Sequence, residues 1–165
     1  MTEIMNMIDK FIEWTRENGW KILPENDNID LSTHPILKDF QFEKTPLFCE
    51  FCTRFSRVES ADETKWFLCT RDYKTPENEG EFAWNEFQKI SLENTFDDDD
   101  LAAIEEFWYD HLPIMISVGG GYKYWALRFT DGKVVSGFEP MFEETSVAAN
   151  SFEDFLDKIV NSEIL

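Results

Sequence analysis

An α+β domain, with a central mixed or antiparallel sheet and flanking helices, is the fold class this sequence predicts, and three observations predict it. Amphipathic helical periods open and close the chain, with further ones between them, and short apolar, aromatic runs separated by glycine turns read as strands. The 165 residues are 42% hydrophobic and include sixteen Phe, six Trp and four Tyr, which is ample for one core and unlike a disordered chain. Neither a repeat nor a low-complexity linker divides the sequence, so residues 1–165 are expected to form one domain.

Each element has its own signal. Ile4, Ile8, Phe11, Ile12 and Thr15 fall on one stripe and Gly19 follows where helices end, so residues 3–18 predict an amphipathic helix. Residues 23–35 are polar and bounded by proline, and read as a loop with no more than short extended pieces. Thr45-Pro46 is an N-cap followed by the favoured first helical position. With Leu47, Phe48, Phe51, Cys52, Phe55 and Val58 at helical spacing, it predicts a helix over residues 46–57. Residues 65–70, KWFLCT, have the make-up of a short buried strand, and residues 82–90 read as one weaker strand.

Asp97 to Asp100 then pile acid onto the start of a helical period through Leu101, Ile104, Glu105, Trp108 and His111, where unsatisfied amides and the helix dipole favour carboxylates. Pro113 is expected to close that helix. The run PIMISVGGGYKYWALRF predicts a strand, a glycine turn and a second strand. Asp131-Gly132 is a type I′ turn signal that pairs residues 122–129 with residues 134–138. Ser151 caps a closing helix, with Asp154 three residues on and Phe152, Phe155, Leu156, Ile159 and Val160 as its buried face.

Charge narrows the function. Against 15 Lys and Arg stand 34 Asp and Glu, a net charge of −19. Nonspecific binding to nucleic acid or to an anionic membrane needs basic surface, so both are excluded as partners. Between Glu77 and Asp110 lie twelve acids and one base, Lys89, and a field of that density steers association with basic proteins. The N-terminus lacks the basic and apolar regions of a signal peptide, and no apolar stretch approaches the roughly 20 residues of a membrane span. Three cysteines, an odd number, fit a reducing compartment, and a cytoplasmic protein is expected.

Catalytic and metal motifs are weak. Cys49-x-x-Cys52 with Cys69 has spacing that suits zinc or a redox pair, but the first two lie among Leu47, Phe48 and Phe51, and no fourth ligand stands nearby. Gly119-Gly120-Gly121 lies between strands and has no following Lys-Ser/Thr, so it reads as a turn and not a phosphate cradle. Asp97 to Asp100 lack the interior Gly and distal Glu of a calcium loop. His34 and His111 sit in no recognisable nucleophile motif, and no carboxylate pair among the 34 acids can be singled out for hydrolysis. Trp66, Trp84, Trp108 and Trp125 sit in apolar contexts and are expected in the core. No catalytic residue, metal site or cofactor is expected, and the chain is read as a binding protein that is not an enzyme.

The C-terminal half also carries an ordered series of short patterns. These are Trp66-Phe67-Leu68 with Asp72-Tyr73; Phe107-Trp108 with His111-x-Pro113; Ser117-Val118; Tyr122-x-Tyr124-x-Ala126; Gly132 with Val134 and Gly137; Glu139-Pro140; and Ala149-x-Ser151-Phe152-x-x-Phe155-Leu156. Over residues 60–160 the series resembles the SUKH superfamily, specifically the bacterial relatives of the yeast Smi/Knr cell-wall assembly regulator. Many members follow an early Leu-Pro with an aromatic residue, a helix and an Asn-Gly pair, whereas Leu23-Pro24 here is followed by ENDNIDLS. The resemblance implies an α+β domain with no catalytic residues to carry over. It further implies an immunity protein that neutralises a cognate toxin, often a nuclease, of a contact-dependent or polymorphic toxin system; the fungal relatives imply the alternative of a regulatory interaction protein. For a basic toxin, Asp97, Asp98, Asp99, Glu79, Glu81 and Glu93 are the candidate partner-binding residues.

Overall fold

The structure, a computed structural model, describes residues 6–40, 42–43, 45–75 and 82–165. Its centre is a seven-stranded sheet: β1 (Lys21–Pro24), β2 (Phe55–Glu59), β3 (Lys65–Phe67), β4 (His111–Ser117), β5 (Lys123–Arg128), β6 (Val134–Phe138) and β7 (Ser146–Ala149). The strands lie in chain order and every neighbouring pair is antiparallel, so the sheet is a continuous meander. Of the two sheet types expected, antiparallel is the one that forms, and the fold is α+β.

All seven residues of β4 are buried, which requires cover on both faces of the sheet. Paired residues share a face, so Phe67, Met115 and Trp125 line one side, and Trp66, Ile116, Tyr124 and Gly137 line the other. Helices α1 (Met7–Glu17), α2 (Pro46–Arg54) and α5 (Phe152–Val160) cover the first side. There Phe11 meets Phe67 at 5.4 Å, Phe51 meets Phe67 at 5.0 Å and Phe155 meets Phe67 at 6.0 Å. The second side carries α3 (Glu86–Glu93) and α4 (Asp98–Tyr109), through Phe87 at 5.4 Å and Trp108 at 5.1 Å from Tyr124. Gly137 lets that tyrosine lie flat on the sheet, since a Cβ there would come within 2.6 Å of its hydroxyl oxygen.

Several elements differ from the sequence expectation for identifiable reasons. The helix expected over residues 46–57 stops at Arg54, and Phe55 begins β2. The register shift opposite Leu23 and Pro24 places an extra residue, Ser56, in β2, so that Phe55 and Val58 both face inward and imitate helical spacing. Residues 82–90 do not form a strand: Phe87 and Ile90 belong to α3, while Phe82 ahead of it covers Trp66 at 5.7 Å. Helix α4 ends at Tyr109, and His111 opens β4 while stacking on Phe107 at 3.8 Å, four residues back, which extends the apparent helical period. Pro113 lies within β4 and not at the helix end; the register shift beside it accommodates a residue with no N–H to donate. The β5–β6 turn is not type I′, because Gly132 has φ 75° but Asp131 does not share the left-handed conformation. Backbone bonds from Gly132 N–H to Arg128 at 2.7 Å and from Arg128 N–H to Lys133 at 2.8 Å close a longer loop instead.

Candidate protein-binding surface

The described part of the acidic stretch, residues 82–110, carries two helices on one side of the sheet. Asp97 is the N-cap of α4, its carboxylate accepting the Asp99 N–H at 2.8 Å, and Asp98, Asp99 and Asp100 fill the first turn. Ile104 and Trp108 face inward, and the Trp108 indole N–H donates to Glu143 Oε2 at 3.0 Å. Ser91 of α3 donates to the same oxygen at 2.9 Å, so one carboxylate from the segment after β6 ties both helices down. Phe142 beside it accepts a hydrogen bond from the Tyr124 hydroxyl and stacks on Phe87 at 4.7 Å. At the other end of α4, the Asp110 carboxylate accepts the Thr130 N–H at 2.9 Å, and His111 Nδ1 lies 2.7 Å from the Phe107 carbonyl as its donor. Burial pulls the His111 imidazole below its ordinary value, and its Nε2 is enclosed with no hydrogen-bond partner among the described residues.

So anchored, α4 turns Asp98, Asp99, Ala102, Ala103, Glu105, Glu106 and Tyr109 to solvent. Among the described residues, no carboxylate of this helix stands in an ion pair. The nearby base, Lys89 of α3, lies 3.9 Å from Glu86. Of the six residues expected to meet a partner, the structure gathers four: Glu93 is the exposed last residue of α3, and a short connector leads from it to Asp97, Asp98 and Asp99. Glu79 and Glu81 lie outside the described residues. Two exposed aromatics on the same segment, Phe96 and Tyr109, escaped the sequence reading. Tyr109 was accessible to it, since it falls on the ridge of Asp98, Ala102 and Glu105 at helical spacing.

The remaining chemical candidates have structural occupations. Cys52 and Cys69 are buried free thiols, and burial pushes both far above the ordinary thiol range; Cys49 is half-buried and raised in the same direction. His34 Nδ1 accepts the N–H groups of Ile36 and Leu37, each at 3.1 Å, which leaves Nε2 as donor to the Thr70 carbonyl at 3.0 Å. Among the described residues, no group of three or more His, Cys, Asp and Glu is gathered to hold a metal ion, and no helix is long and apolar enough to cross a membrane. A groove of about 210 Å³ lined by β2, β3 and Asp72 holds two carboxylates. Of these, Glu59 lies 3.6 Å from Arg57 and 4.0 Å from Lys21, while Asp72 accepts the Cys69 N–H at 2.8 Å and is raised by burial. Compared with protein-family models, curated proteins and solved structures, the chain matches none.

Proposed function

We propose that this chain is a cytoplasmic immunity protein that binds and neutralises a cognate toxin, a basic nuclease-type protein of a bacterial polymorphic or contact-dependent toxin system. The observation that carries the reading is the outer face of α4, a row of exposed carboxylates on a capped and packed helix that are unpaired among the described residues. A surface of this kind meets the Lys and Arg with which a nuclease holds its phosphates, and occludes them. The ordered SUKH-like patterns over residues 60–160 support the same reading, and the free cysteines suit a reducing compartment.

The test is protection. Cells that express a basic nuclease encoded beside this protein should survive when it is co-produced, and a variant with Asp98→Asn, Asp99→Asn, Glu105→Gln and Glu106→Gln together should protect them poorly. Recovery from the native host of cell-wall or other housekeeping factors alone, with no toxin to neutralise, would replace the reading with that of a Smi/Knr-type regulatory interaction protein.

A further inference from the structure

The outer side of α4 is not carboxylate alone. Phe96, the residue before the N-cap, is 93% exposed, and Tyr109, the last residue of the helix, is 82% exposed. Among the described residues, neither belongs to the hydrophobic core or packs against it. An apolar residue before an N-cap commonly closes onto the fourth helical residue, here Leu101, and the exposure of Phe96 leaves that contact unmade. Between the two aromatics the outward positions are filled by small or acidic side chains, Ala102 and Ala103 among Asp98, Asp99, Glu105 and Glu106. The result is a helix face that is unpartnered among the described residues, with a low middle and an aromatic ring at each end, about 20 Å apart at the rise of an α-helix.

We propose that Phe96 and Tyr109 are the two apolar anchors of a protein-docking strip along α4, and that the strip takes a basic polypeptide presenting apolar contacts at that separation. Charge complementarity selects this occupant, because residues 96–109 carry six carboxylates and no base. The proposal rests on the reading of the chain as a protein binder and adds which side chains retain the partner. Exposed carboxylates act mainly on encounter: they raise the association rate and are screened beyond about 8 Å at physiological salt. Holding a partner falls to groups that lose water on contact, and exposed aromatics combine large apolar area with few rotatable bonds. The acids therefore set how fast the partner arrives, and the two rings set how long it stays.

Two probes separate these roles on the full-length chain: oligolysine, and a lysine–leucine peptide of equal charge long enough to span the strip as a helix. Both should bind at low salt and shift the backbone resonances of α4. At raised salt, oligolysine should be released while the lysine–leucine peptide is retained. Replacing Phe96→Ala and Tyr109→Ala together should weaken the retained complex by about thirtyfold, the usual scale for interface hot spots, with oligolysine binding at low salt unchanged. If the double aromatic variant retains the lysine–leucine peptide as well as the native chain, the anchors are refuted while the acidic binding surface stands. If neither peptide shifts α4, the strip and the assignment of α4 as the interface both fall.

Discussion

Two regions of the molecule handle the same kind of charge in opposite ways. At the β1–β3 end several carboxylates come with cations. Glu25 is closed in by Arg71, whose guanidinium reaches its two oxygens with contacts as short as 2.6 Å, and Glu63 meets Lys21 at 2.9 Å. Hydrogen bonding from Arg71 holds the Glu25 carboxyl below its ordinary value against the opposing effect of burial. On α4, five carboxylates of the helix itself are exposed and have no cation among the described residues. The first arrangement spends its charges on the fold, as an internal clamp between the segment after β1 and the turn after β3. The second contributes little to the fold beyond the capped first turn, so its charges stay available to another molecule.

If that contrast is right, α4 should be held from its inner side alone. Trp108→Ala removes a ring that is 5% exposed and a hydrogen bond to the carboxylate shared with α3, and should lower stability by about 3–5 kcal/mol in denaturant titration. A loss within experimental error of zero would mean that α4 is anchored elsewhere. The paired region breaks differently. Arg71→Gln leaves the Glu25 carboxylate, whose side chain is only 1% exposed, without its cation; because Arg71 itself is half exposed, a modest fall in Tm of about 2–4 °C is expected. The sign with pH follows from the lowered carboxyl. Its contribution is complete above the ordinary glutamate value of about 4.5 and is lost as pH falls through the lower folded value, so the native chain should lose more stability than Arg71→Gln on acidification across that window. Parallel pH profiles for the two would refute the clamp.

The same contrast explains what could be read from the sequence. Closely spaced local signals were legible: the Ser151 cap, whose hydroxyl accepts the Asp154 N–H at 3.0 Å, the acidic start of α4, and the glycine-separated strands β4 and β5. Features set by pairing between distant segments were not. Strands β1 and β7 are four residues each and are defined by their neighbours, and the bulge in β2 makes Phe55 and Val58 look helical. The acidic surface was visible as a density of charge, but which acids are spare depends on where cations from other segments fall. Glu25 and Asp98 are both carboxylates among polar residues in the sequence, and only the fold brings Arg71 to the first. Glu143 likewise carries no local signal in the sequence, although Trp108 and Ser91 both converge on it from helices more than thirty residues away in the chain.

The smallest expected effect is the sharpest test of what α4 is for. Glu106→Gln removes one charge from the centre of the outer face and leaves no cation stranded, since none of the described residues pairs with it. A structural carboxylate would register its loss, as Arg71 and Glu25 do for each other. A carboxylate kept for a partner should change stability by no more than about 0.5 kcal/mol, and the change should tend toward stabilisation because repulsion from Glu105 and its acidic neighbours is relieved. That relief should shrink as salt is added, since it acts between exposed charges. Association with a basic protein partner at low salt should slow in the same variant while its dissociation stays close to native. Stability and association would then move in opposite directions on one substitution, which a purely structural or purely solubilising charge does not produce.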